Sequence, residues 1–146
     1  MRPSREEVLI GIAQLMAQRS TCSRKQVGAL AEKEGRILAT GYNGAPKGLP
    51  HCTDLGGCRL GLNGGCEDAV HAEANLVAFA AKHGISLWGA TVYSTCAPCL
   101  ECAKLLINAG IIEVAYFEKY RNPQGLELLQ QAGIKIRKVR GSSNDL

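Results

Sequence analysis

One short phrase recurs along the second half of this chain and does most to limit how it folds. Ala109-Gly110-Ile111 and Ala132-Gly133-Ile134 each follow a stretch with helical spacing and precede a β-branched run. A glycine there suits the left-handed conformation that closes a helix, and the isoleucine opens a strand. Helices are expected over His71–His83, Pro98–Ala109 and Pro123–Ala132, with strands over Ala90–Thr95, Ile111–Phe117 and Ile134–Val139. Gly84 ends the first of these helices in the same way. Upstream, Ser4 and Glu7 form a capping box for a helix over Arg5–Arg19 with an apolar stripe at Val8, Leu9, Ile12, Leu15 and Met16. Gln26–Ala31 and Arg36–Tyr42, joined by Glu32-Lys33-Glu34-Gly35, read as an antiparallel hairpin. A hairpin followed by alternating helices and strands specifies an α/β chain layered around one mixed central sheet. Residues 1–140 read as one domain and 141–146 as a flexible tail.

At 146 residues, 46% apolar and 21% charged, the chain suits a packed domain and excludes a disordered or fibrous one. It has no apolar run near the roughly 18–20 residues of a membrane span, and its first residues lack a signal peptide's apolar core, so a soluble, cytoplasmic protein is expected. The net charge of +4 suits a small anionic ligand better than a polynucleotide. With 5% aromatics the chain has little to stack bases on, so nucleic acid is not the expected partner. Seven cysteines, an odd number, point to metal or thiol chemistry ahead of a disulfide framework.

Two clusters carry that chemistry, His71-Ala72-Glu73 and Pro98-Cys99-Leu100-Glu101-Cys102. Cysteines three apart at a helix start share a face, and a helix N-terminus favours the thiolate that binds zinc. Pro98 fits the first helical turn. His71 supplies a third ligand, and three protein ligands leave a tetrahedral position for water, the catalytic arrangement. Glu73 stays off the metal and moves protons. Within a helix, residues two apart diverge, so His71 and Glu73 share a site only if the metal lies off the helix's N-terminal end.

This pairing is the signature of zinc nucleobase deaminases, and from about Ser20 to Tyr120 the chain resembles the deoxycytidylate branch of the cytidine/deoxycytidylate deaminase family. The resemblance rests on Ser20-Thr21-Cys22, Gln26-Val27-Gly28-Ala29, Gly41-Tyr42-Asn43-Gly44-Ala45-Pro46 and its continuation to Cys52, and His71-Ala72-Glu73-Ala74-Asn75. It also rests on Gly89-Ala90-Thr91-Val92-Tyr93, Pro98-Cys99-Leu100-Glu101-Cys102-Ala103-Lys104 and Asn108-Ala109-Gly110-Ile111. It implies a three-layer α/β/α sandwich and the hydrolysis of dCMP to dUMP and ammonia, which supplies thymidylate synthesis. In that reaction Glu73 takes a proton from water and delivers it to N3 of the ring, then protonates the departing amine, while the Ala72 carbonyl receives the exocyclic amino group. Asn43, within Tyr42-Asn43-Gly44, is implied at the deoxyribose and Tyr120 near the nucleotide, with Arg24 and its neighbours Ser23, Lys25 and Lys47 candidates for the phosphate.

The resemblance further implies a homo-oligomer, a hexamer by preference, and a possible site for dCTP with Mg2+ or for dTTP beside the same loop. Relatives often hold the long loop, here Asn43 to about Asp68, with a second, structural zinc; the matching residues are Cys22, His51, Cys52, Cys58 and Cys66. The chain departs from its relatives at Gly65, where they have His, at Cys96-Ala97, where Ser often precedes the proline, and at Glu67-Asp68-Ala69, where many carry Arg. Two rival readings are a deaminase of another cytosine nucleotide (dCTP or 5-methyl-dCMP) or of a tRNA base, and a non-catalytic zinc-binding module. Glu73 argues against the module, which has no use for that carboxylate.

Overall fold

The computed structural model describes residues 1–62 and 66–140. Gly65 and the expected tail, 141–146, lie outside the described residues. Helix α1 spans Arg5–Ala17, and the Ser4 hydroxyl accepts the Glu7 N–H at 3.1 Å, as the capping pattern requires. It ends two residues earlier than its periodicity suggests. The N–H groups of Gln18, Arg19 and Ser20 reach back only three residues, to Leu15, Met16 and Ala17, and this tighter turn closes the helix.

Strands β1 (Gly28–Lys33) and β2 (Arg36–Tyr42) form the expected hairpin, turning on Glu34 and Gly35, both at positive φ. β1 starts two residues later than expected because the Asn43 side chain, not a neighbouring strand, takes the Val27 N–H. The remaining elements are α2 (Ala72–His83), β3 (Thr91–Cys96), α3 (Leu100–Asn108), β4 (Glu113–Glu118), α4 (Gln124–Gln131) and β5 (Lys135–Lys138). Gly110 and Gly133 adopt φ of 87° and 80° just past α3 and α4, the left-handed backbone that the repeated phrase calls for.

The sheet order is β2-β1-β3-β4-β5, with β1 antiparallel to both neighbours and the other pairs parallel. The result is the mixed sheet read from the sequence. On one face Leu9, Ile10 and Ala13 of α1 meet Leu30, Tyr93 and Ala115. On the other, Leu76, Leu106 and Leu129, one from each of α2, α3 and α4, close on Ala29, Val92 and Val114. These three leucines are fully buried, and each contributes about 1.5–3 kcal/mol of transfer free energy. Three layers, α/β/α, bring the N-termini of α2 and α3 together near the C-terminal end of β3.

Candidate metal centre and active site

His71 is the N-cap of α2, and its ring makes no capping bond. Instead Nδ1 lies 3.3 Å from Cys99 Sγ and 3.5 Å from Cys102 Sγ. The three ligand atoms all fall within 4.8 Å of one another. The sequence reading put both cysteines inside the helix with Pro98 in its first turn; the structure starts α3 at Leu100. Cys99 is the N-cap, and its sulfur accepts the Cys102 N–H at 3.5 Å. A sulfur at the cap position does the work of the usual Ser or Asp oxygen while still facing His71.

Hydrogen bonds from the Cys102 thiol and from His71 hold the Cys99 thiol down to about 4, while Cys102 is pushed upward. One imidazole and two sulfurs, one already inclined to ionise, form a donor set that suits zinc. Three protein ligands leave room for one more.

Glu73 sits in the first turn of α2, with only 4% of its surface exposed. Burial pushes its carboxyl up to about 7, and the nearby Cys99 charge adds to the effect. A carboxyl poised there both takes and gives a proton at neutral pH. Because His71 precedes the helix and Glu73 lies within it, the two face one cavity although they are two residues apart.

That cavity has a volume of about 200 Å³. Ala72, Asn43, Arg24 and Tyr120 line it, as do Lys25, Cys96 and Arg121. Arg24, Lys25 and Arg121 give it a cationic side. The Asn43 amide is anchored twice, accepting from the Val27 N–H at 2.8 Å and donating to the Lys25 carbonyl at 2.7 Å. Tyr42 and Gly44, expected at the substrate, do not line the cavity. They act through their backbone: the Tyr42 carbonyl accepts from Asn75, and Gly44 forms an antiparallel bridge with Val70. The sequence reading did not single out Arg121 or Asn75 for a role; adjacency to Tyr120 was the one available signal for the former.

The loop cysteines also assemble. Cys22 and Cys58 lie 3.5 Å apart through their sulfurs, as do Cys52 and Cys66. Cys52, Cys58 and Cys66 fall within 4.8 Å of one another. Burial, reinforced by Cys66, pushes the Cys52 thiol up to about 12. His51 stands outside this group: it is exposed, and its N–H goes to the Asp54 carboxylate at 3.0 Å. Cys22 and Cys66 face the Glu73 cavity as well, a juxtaposition that spacing along the chain does not reveal.

Taken with the layered fold, these donors and the carboxylate beside them are the furniture of a metal-assisted hydrolase. Residues 3–118 match the family described as the cytidine and deoxycytidylate deaminase zinc-binding region, and the chain belongs to that family. ComE operon protein 2 of Bacillus subtilis (strain 168) is 40% identical over 139 residues, covering 94% of this chain and 72% of that protein. The deoxycytidylate deaminase of enterobacteria phage T4 is 34% identical over 166 residues, covering 88% and 86% respectively. The crystal structure of dCMP deaminase from the cyanophage S-TIM5, in complex with dCMP and dUMP, superimposes with a TM-score of 0.84 at 36% identity, covering 95% of this chain and 99% of that one. Among the described residues no helix is long and apolar enough to cross a membrane.

Proposed function

We propose that this protein is a zinc-dependent dCMP deaminase that hydrolyses dCMP to dUMP and ammonia. The observation that carries the reading is a buried carboxylate, Glu73, facing the same cavity as a His71–Cys99–Cys102 donor set. His71, Cys99 and Cys102 hold the metal, which supplies the Lewis acidity that makes water a nucleophile at neutral pH. Glu73 accepts the proton that the water gives up and hands it to N3 of the ring as C4 is attacked. It then carries the second proton to the amine, so that the C4–N bond breaks to release ammonia. The Ala72 carbonyl, at the cavity wall, orients the exocyclic amino group. The cationic side formed by Arg24, Lys25 and Arg121 suits the 5′-phosphate, with Asn43 toward the sugar and Tyr120 closing the nucleotide end.

The same reading gives Cys22, Cys52, Cys58 and Cys66 a second, structural zinc, supported by the two 3.5 Å sulfur pairs. Homo-oligomeric assembly, and control by dCTP with Mg2+ or by dTTP, complete it.

An ammonia-release assay with dCMP, dCTP, deoxycytidine and CMP, each run with and without dCTP and dTTP, tests the proposal. Turnover is expected to be fastest on dCMP. Ammonia from none of the four overturns the deaminase reading, and a preference for dCTP moves the substrate to the triphosphate.

A further inference from the structure

We infer that Asn75 is a positioning residue that holds the nucleotide-facing wall of the cavity in register with Glu73; the inference rests on the deaminase reading above. Asn75 lies in the first turn of α2, two residues beyond Glu73. Its side chain therefore leaves the helix on a different side, and it is not among the residues that line the cavity. Its amide Nδ2 donates at 2.8 Å to the Tyr42 carbonyl and at 3.4 Å to the Val70 carbonyl. These carbonyls belong to the two segments that meet in the Gly44–Val70 bridge, where Gly44 N–H donates to Val70 at 3.1 Å and Val70 N–H to Gly44 at 2.7 Å.

Val70 precedes the His71 ligand, and Tyr42 precedes Asn43. From Asn43 the tie continues through its own amide to the Lys25 carbonyl and the Val27 N–H. A continuous path of hydrogen bonds thus runs from the helix that carries Glu73, through Asn75 and Asn43, to the segment that carries Lys25. Close approach reinforces it: a Cβ added at Gly41 would strike the Ala72 carbonyl and come within 2.9 Å of the Leu76 nitrogen. The end of β2 is therefore pressed against the first turns of α2, and Asn75 determines where along that turn it rests. The stronger of its two bonds goes to Tyr42, so its loss loosens the wall that receives the nucleotide more than the metal ligand.

Kinetics of the zinc-loaded full chain test this. For Asn75→Ala, KM for dCMP is expected to rise about tenfold, the worth of one ordinary hydrogen bond, with kcat changing less than about threefold and zinc content unchanged. Asn75→Asp keeps the shape but has no N–H to offer two carbonyls, and is expected to be worse than the alanine variant. A double-mutant cycle with Asn43→Ala is expected to be non-additive in kcat/KM, because both residues act on one wall. If Asn75→Ala does not fold, Asn75→Ser, which keeps a single donor, takes its place in the cycle. Additive effects, an aspartate variant equal to wild type, or a loss of melting temperature with KM unchanged would each overturn the positioning role. Wild-type protein inactive on dCMP overturns the deaminase reading and this inference with it; active wild type with unaltered Asn75 variants overturns this inference alone.

Discussion

Glu73 shows how much one position in a fold changes an ordinary side chain. A glutamate on a solvated helix is ionised at neutral pH, whereas here burial raises the carboxyl to about 7. Replacing it by glutamine keeps the size and removes the proton carrier. For Glu73→Gln we expect zinc content to match wild type while kcat on dCMP falls by about 10²–10⁴-fold, the usual worth of a general acid–base group; a variant retaining a tenth of wild-type turnover would move the proton transfer elsewhere. The roles of His71, Glu73, Cys99 and Cys102 were legible in the sequence because two short motifs carry them. Tyr42, Gly44 and His51 were placed less well. Being within a motif does not tell whether a residue contributes its side chain or its backbone: Tyr42 contributes its carbonyl, and His51 faces solvent.

Among the elements, α3 and α4 decide whether the metal ligands meet. The N-terminus of α4 packs against the turn before α3, and Gly125 is where the two backbones touch. A Cβ there would strike the Pro98 carbonyl oxygen and lie 2.9 Å from the Cys99 backbone. Gly125→Ala is expected to displace Cys99, lowering both zinc affinity and stability, the latter by about 1–3 kcal/mol. Gly28 is its control: a Cβ there meets the backbone of Ala13 and Ala17 in α1, away from the ligands. Gly28→Ala is expected to lower the melting temperature with zinc content retained. Metal analysis and thermal melts of the two variants separate these outcomes, and equal zinc loss in both would mean that α4 does not position Cys99. The order of elements was readable from period and glycine placement, yet the start of α3 was not. Helical spacing carries on through Pro98 and Cys99, and only the contact between the Cys99 sulfur and the Cys102 N–H makes Cys99 a cap.

Over the whole molecule, metal and fold are linked, because the three ligands come from segments that only the folded chain brings together. A ligand bound to the native state alone at about 100 times its Kd stabilises by about 2.7 kcal/mol. Chelation is therefore expected to lower the melting temperature by about 5–11 °C in a chain of this size, and added zinc to restore it; a melt unmoved by a chelator that demonstrably strips the metal would contradict the linkage. The sequence by itself determined the kinds of element, their order and the ligand set, since caps, periods and a three-residue cysteine spacing act over one or two turns. Tertiary structure alone decided that Cys22 and Cys66 face the Glu73 cavity, that Arg121 joins Arg24 and Lys25 there, and that Asn75 reaches Tyr42. Those meetings depend on how tightly separate elements approach, which is set by packing across the sheet and leaves no local pattern in the chain.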